Sequence, residues 1–365
     1  MPRRAPFNYV HDSGNFSHIA TGGAHTIIIN QDGDLIVFGL NRNGQLGLGH
    51  TNPTGSRHII KLRDDEKAVK VVCAHEASFY LSENGQVFSC GSNEYGQLGY
   101  GDVVCQLTFR LVETPCPIID IEAGGWHLLA IDDDRTLYGC GCSAGNRLGL
   151  PVSEPVYQLR PLPFHNVTTF ACGDFHSIVV TTEGIFELGR MSARRSITKY
   201  IEGRVTMASG ARDHSLLLTD DGVVYSFGLN SAGQLGLGHN QSVNDVSKVI
   251  LPSFCSSVSE RPVAVECSYY SSAVVLCSGK VLVFGSNEFC ELGMKSESKR
   301  SPQLLDIDVP INTVRIGGSG GVLEAHIMLV DDLGRIWAGG SSKHNQCGFN
   351  SFGILSKPVE IDLFI

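Results

Sequence analysis

Gly39-Leu-Asn-Arg-Asn-Gly44-Gln-Leu-Gly47 is the stretch that decides the fold. It returns as Gly91-Ser-Asn-Glu-Tyr-Gly96-Gln-Leu-Gly99 and as Gly228-Leu-Asn-Ser-Ala-Gly233-Gln-Leu-Gly236. Weaker copies run Gly141–Gly149, Gly285–Gly293 and Gly340–Gly348, and Gly189 opens a place where the phrase is missing. The opening glycines 39, 91, 141, 189, 228, 285 and 339 are separated by 52, 50, 48, 39, 57 and 54 residues. A self-similar period of this size marks a repeat architecture in which each repeat is one supersecondary unit.

Upstream of each opening glycine lies an apolar run, a short turn rich in Gly or Asp, and a second apolar run. HTIIINQDGDLIVFG (25–39) and HSLLLTDDGVVYSFG (214–228) show the form, which is that of an antiparallel hairpin. One hairpin cannot bury its own faces. Seven units of about 50 residues predict an all-β, seven-bladed propeller of four-stranded antiparallel blades. Residues 16–365 form this single domain, after a loose tail at 1–15. The chain starts inside a repeat, at Phe16–Asn30, and ends inside one, at Lys357–Ile365. The two ends are therefore expected to pair in one composite blade, which would remove open sheet edges.

Composition agrees. Glycine is 42 of 365 residues, charged residues are 18%, and mean hydropathy is +0.04. That is too apolar for a disordered chain and too glycine-rich for long helices. The net charge of −9 argues against nucleic acid as the main partner. No window is apolar for long enough to span a membrane, and the N-terminus has no apolar stretch behind Arg3 and Arg4, so a protein of the cytoplasm, the nucleus or both is expected. The twelve cysteines then read as reduced thiols. Cys140-Gly-Cys142 reads as two small apolar residues rather than half of a metal site, and no metal or cofactor is expected.

The G-x-N-x-x-G-Q-L-G phrase, following A-x-G-x-x-H and a D-G hairpin, resembles the regulator of chromosome condensation repeat. The resemblance covers roughly residues 16–365 and implies a seven-bladed propeller. It also implies a link to small GTPases, because the founding member is a guanine-nucleotide exchange factor for Ran. In that factor an aspartate just before one blade histidine is important for exchange. The most similar blade here carries Trp126 at that place, ahead of His127, whereas Asp213-His214 keeps the pair in another blade.

Residues that recur once per repeat read as structural. His25, His127, His176, His214 and His326 recur in this way, with Ala77 and Tyr270 in the remaining repeats, so they are expected to bond between strands or blades rather than to do acid–base chemistry. No P-loop, zincin or EF-hand motif occurs. Gly317-Gly-Ser319-Gly-Gly321 matches the letters of a nucleophile elbow but lacks the strand-to-helix context, so no catalytic residue is assigned.

Function is expected where repeats depart from the pattern. Between Gly189 and Gly228 the phrase gives way to a basic run, and Arg190, Arg194, Arg195, Lys199 and Arg204, with Arg212 and Asp213 beyond, are the candidate partner-binding residues. A solvated basic face and a dock for an acidic surface both fit this run. The stretch from His239 to Pro262 and the glycine-rich Gly317–Glu324 are further departures. Two functions follow. One is a monomeric, non-enzymatic propeller that binds proteins, among them a small GTPase or its regulators. The other is an exchange factor for a small GTPase such as Ran.

Overall fold

The computed structural model describes residues 16–151, 154–189, 194–295, 297–318, 325–349 and 353–362. The expected tail, Arg190 and most of Gly317–Glu324 lie outside them. The described residues form seven four-stranded antiparallel sheets. Blade 1 comprises Phe16–Thr21, His25–Asn30, Leu35–Gly39 and His58–Ile60, from the inner strand outward. Blade 2 comprises Ala68–Cys73, Ala77–Ser82, Val87–Gly91 and Gln106–Val112. Blade 3 comprises Ile118–Ala123, His127–Asp132, Leu137–Gly141 and Val156–Pro161. Blade 4 has Val167–Cys172, His176–Thr181, Gly184–Gly189 and a two-residue outer strand, Arg195–Ser196. Blade 5 is Val205–Gly210, His214–Thr219, Val224–Gly228 and Val243–Lys248. Blade 6 is Pro262–Ser268, Ser271–Leu276, Val281–Gly285 and Lys299–Leu304. Blade 7 is Ile311–Gly317, His326–Asp331, Ile336–Ser341 and Ile354–Ile361.

The second strands are buried on both faces because each lies between two neighbouring blades, which is why they read as unbroken apolar runs. Ile27, Ile28 and Ile29 are all fully buried. Outer strands such as Gln106–Val112 have only their last residue buried. Every inner strand carries a register shift near its start, for example between Phe16 and His18 and between Ala68 and Lys70. Such bulges increase twist, as a narrow central channel requires of the strand that lines it.

The opening glycine has a specific cause. At Gly141 φ is +101°, and a Cβ there would lie 2.4 Å from Trp126 O. Gly91 and Gly285 meet Glu76 O and Tyr270 O in the same way. The rest of the phrase then folds back on itself. Asn41 Oδ1 accepts from Leu46 N at 3.1 Å and Gln45 Oε1 accepts from Asn43 N at 2.9 Å, while Leu46 is fully buried against blade 2. In blade 7 the glycine that pairs with the histidine is Gly340, one place beyond the Gly339 of the sequence count.

The recurring histidines clasp blade to blade. His25 Nε2 lies 2.8 Å from Ser78 Oγ, which donates onward to Gln45 O at 2.7 Å. His127 with Ser177 (2.8 Å), His176 with Ser215 (2.6 Å) and His214 with Ser272 (3.0 Å) repeat the contact, and His326 with Thr26 (3.1 Å) makes it across the ring junction. Burial holds the His25 imidazole down at about 3, and drives His127 well below the ordinary range. His25 and His127 are therefore neutral spacers near pH 7. In blade 6 the histidine place belongs to Ser271, which pairs with Gly285, and not to Tyr270 as sequence spacing suggests.

Among the described residues the ends do not share a blade. Blades 1 and 7 each take four strands from their own segment, and Ile354–Ile361 is the outer strand of blade 7. The described residues close the ring through blade faces instead. Thr26 Oγ1 donates to Gln346 O at 2.9 Å, Gly318 N donates to Gly22 O at 3.1 Å, and Phe38 packs with Met328 and Cys347. Each blade already fills its own four places, so strand exchange is not needed for closure. The His239–Pro262 stretch is also more ordered than a loop. It supplies the outer strand Val243–Lys248 and two short 3-10 turns, Ser253–Ser256 and Val258–Glu260, that bury Cys255.

Candidate functional site

The turns between the inner and second strands ring one mouth of the central channel, and their sequence follows from geometry. In blades 1 to 5 each starts with a glycine or alanine, and in blade 6 with Ser268. A Cβ at Gly124 would lie 2.1 Å from Gly173 O of the next blade and 2.6 Å from the His127 ring. With side chains excluded there, main chains approach and bond across blade borders. Gly23 N donates to His75 O at 3.2 Å and Asp174 N to Ala211 O at 3.1 Å.

The two positions before the histidine are free to vary, and they hold most of the chemistry. Just before it stand Ala24, Glu76, Trp126, Phe175, Asp213, Tyr270 and Ala325 in blades 1 to 7. One place earlier, blades 1 to 6 carry Gly23, His75, Gly125, Asp174, Arg212 and Tyr269. Blade 1 is small here; blades 2 to 6 build a crown. Trp126 is its hub. Its ring centroid is 5.1 Å from His75, 5.5 Å from Phe175 and 6.3 Å from Tyr95. On the far side Tyr269 and Tyr270 meet edge to face at 4.9 Å, with the Arg212 guanidinium 4.7 Å and 5.2 Å from their ring centres.

Charge in the crown is locally paired. Arg212 Nε is 3.6 Å from Asp213, and its Nη1 donates to the Tyr270 hydroxyl. Arg42 pairs with Glu76. His75 Nε2 lies 3.0 Å from Asp174 Oδ1. Arg147 occupies the phrase position that is Gln45 in blade 1. An arginine cannot accept the turn N–H that Gln45 accepts, so Arg147 donates to Ala144 O at 2.8 Å and reaches Asp174 O in the next blade. It is buried, with its guanidinium 5.5 Å from the Phe175 ring centre.

Below the crown the channel holds a cavity of about 160 Å³. Lys70 bridges Asp120 and Glu122 at 2.7 Å each, and Arg315 lies 3.4 Å from Glu266. Burial pushes the Glu266 carboxyl up to about 7 although Arg315 pulls the other way. Burial, with Arg315 and Lys70 nearby, lowers His18. Among the described residues no group of three or more His, Cys, Asp or Glu is placed to hold a metal ion, and no helix is long and apolar enough to cross a membrane.

The sequence candidates divide between two places. Arg212 and Asp213 are in the crown. Arg194, Arg195, Lys199 and Arg204 lie on the outer edge of blade 4 and the connection to blade 5. Arg194 covers the Phe186 and Phe164 rings at 4.1 and 4.6 Å. Arg195 is 3.5 Å from the buried Glu187 and 3.1 Å from Asp245. Arg204 meets Asp220 at 3.3 Å, and Lys199 lies over Tyr200. Much of the basic run is thus matched by carboxylates or spent on aromatic faces. The aromatic crown was missed. Lining up the two residues before the histidine place exposes it, because blades 2 to 6 all carry a large or charged side chain there.

The family model for the RCC1-like domain matches residues 2–321. The chain belongs to that family. It is similar to the secretion-regulating guanine nucleotide exchange factor of Bos taurus, with 27% identity over 295 residues that cover 79% of this chain and 55% of the relative. It is 30% identical over 310 residues to the X-linked retinitis pigmentosa GTPase regulator of Canis lupus familiaris, covering 66% of this chain and 30% of that protein. The chain therefore spans about half or less of the length of these relatives. Human WBSCR16 shares the fold, with a TM-score of 0.76 at 20% identity over 90% of this chain and 91% of that one. The RCC1-like family assignment places the chain among propellers that include exchange-factor-type and regulator proteins.

Proposed function

We propose that this chain is a non-enzymatic RCC1-like propeller that docks a protein partner on the channel mouth, and that the partner belongs to a small-GTPase system. The observation that carries the reading is the crown. Tyr, Trp and Arg are the side chains that most often anchor protein interfaces, and here they are gathered on one rim with their aromatic faces half-exposed. Two relatives are named for guanine-nucleotide exchange and GTPase regulation, which supplies the partner class. The same crown sets this reading above exchange activity, because Trp126 stands where the family resemblance puts an aspartate. Asp213 keeps the second reading alive, since it precedes its histidine and pairs with Arg212 at the same mouth.

An exchange factor lowers the barrier to nucleotide release by binding the empty GTPase better than the loaded one. Release of a fluorescent GDP analogue from a panel of small GTPases, Ran included, separates the two readings. Binding to a panel member without acceleration is the expected result. Acceleration by catalytic amounts of the protein would make it an exchange factor.

A further inference from the structure

The crown contains a carboxylate that the protein does not use up. Asp174 sits at the mouth, 5% exposed, in a turn where its own backbone N–H bonds to blade 5 and its carbonyl takes the Arg147 guanidinium. Oδ1 faces His75 Nε2 at 3.0 Å. Oδ2 is buried and has no donor among the described residues. A buried carboxylate oxygen without a donor is costly to hold, and buried polar atoms in folded proteins nearly always have a partner. Nor can the carboxylate turn away. Gly125 lies beneath it, so close that a Cβ there would be 2.8 Å from Oδ1. The neighbouring cations are committed elsewhere. Arg147 donates to carbonyls, and Arg212 donates to the Tyr270 hydroxyl and lies 3.6 Å from Asp213.

We infer that the channel mouth is a socket for a basic side chain of the docked protein, with Asp174 Oδ2 as the acceptor, the Tyr269 ring as a wall and Trp126 beside the His75 ring that lines it. The inference rests on the docking reading above. An ammonium or guanidinium suits both parts of the site. It gives Oδ2 a charge-assisted hydrogen bond, and its positive charge is favoured over an aromatic face. An acidic side chain would meet Asp174 head on. The cavity at the mouth, about 90 Å³, admits one side chain tip rather than a helix or strand. Gly22, Gly124, Gly173 and Gly317 line it on one side, so the socket is rigid there and adaptable at His75, Arg212 and Tyr269, which line it elsewhere.

The test uses the full chain and four capped tripeptides, Ac-Gly-X-Gly-NH2 with X as Arg, Lys, Gln or Glu, titrated against the indole fluorescence of Trp126 in a Trp337→Phe background. The Arg and Lys peptides are expected to give saturable changes at least tenfold tighter than Gln, with Glu giving none. Asp174→Asn should remove that preference at least tenfold while thermal melting shows the fold intact. If Asp174→Asn melts abnormally, Tyr269→Ala, which keeps the carboxylate, should weaken the Arg peptide while preserving the preference for charge. Equal binding of Arg and Gln peptides, or an unchanged preference in folded Asp174→Asn, would overturn the socket. Free arginine binding as tightly as its peptide would overturn the assignment to a protein side chain. The docking reading fails separately. If Trp126→Ala and Asp174→Asn both leave capture of a bound GTPase unchanged, docking at this mouth is wrong; if Trp126→Ala alone loses capture, docking stands and the socket falls.

Discussion

His25→Ala should cost the propeller stability by an amount that depends on pH. The imidazole is fully buried between blades 1 and 2, 2.8 Å from Ser78 Oγ, with Gly22 packed on its edge. Removing it forfeits one hydrogen bond, worth about 1 kcal/mol, and leaves a cavity of roughly one ring, worth about 1.5 kcal/mol. The expected loss at pH 7.5 is therefore about 2.5 kcal/mol. At pH 5 a second quantity enters. Burial depresses the His25 pKa to about 3, whereas the unfolded chain protonates near 6.5. A depressed folded value means stability that is present above pH 6.5 and is lost as pH falls toward 3. At pH 5 the wild-type chain has already given up about 2 kcal/mol at this one site. The alanine variant has no such proton to take up. Its deficit should shrink from about 2.5 kcal/mol at pH 7.5 to about 0.5 kcal/mol at pH 5, read as the difference between variant and wild-type urea midpoints. An equal deficit at both pH values would refute the claim that this histidine is a neutral clasp excluded from water.

Three further outcomes follow from the same geometry. Glu266→Gln should flatten the stability profile between pH 5 and 8, because a folded value near 7 against 4.5 unfolded means that the wild type loses stability as pH rises through that window, by about 1–2 kcal/mol once the water in the channel is allowed for; an unchanged slope in denaturation curves would place the carboxyl in contact with bulk water. Gly141→Ala should cost about 3 kcal/mol or more, since its Cβ would collide with Trp126 O, whereas Gly145→Ala, with open space around it at φ +70°, should cost about 1 kcal/mol; similar melting temperatures for the two would contradict the backbone argument. Arg195→Glu should destabilise by about 2–3 kcal/mol because it leaves Glu187 buried beside a second carboxylate, while Arg204→Glu at the exposed Asp220 pair should shift stability by less than about 0.5 kcal/mol; thermal melts of both check this.

Much of the fold was legible because the constraint repeats. An opening glycine that must clear the carbonyl before the next histidine, a leucine that must fill the gap between blades, and an apolar second strand each recur around the ring, and recurrence separates them from chance. Closure was read wrongly, because a partial repeat at each end looks like two halves of one blade. Pairing Phe16–Thr21 with His25–Asn30, and Ile354–Ile361 with Ile336–Ser341, depends on where complete blades begin, and glycine spacing alone does not give that. The basic run stood out by composition, yet what neutralises it comes from neighbouring strands, in part from far away in sequence. Asp245 is 50 residues from Arg195. The crown was hidden for the opposite reason. His75, Trp126, Asp174, Arg212 and Tyr269 share no motif and converge only when five blades are wrapped around the channel.

The central claim is that a protein partner docks on the channel mouth and not on the basic edge of blade 4. A photo-crosslinking residue placed in turn at Tyr95, on the crown, and at Lys199, on that edge, tests it in living cells, with the cross-linked products identified by mass spectrometry. One protein of a small-GTPase system is expected to be joined through position 95 and none through position 199. Cross-links through 199 with none through 95 would move the interface to the edge of blade 4 and contradict it.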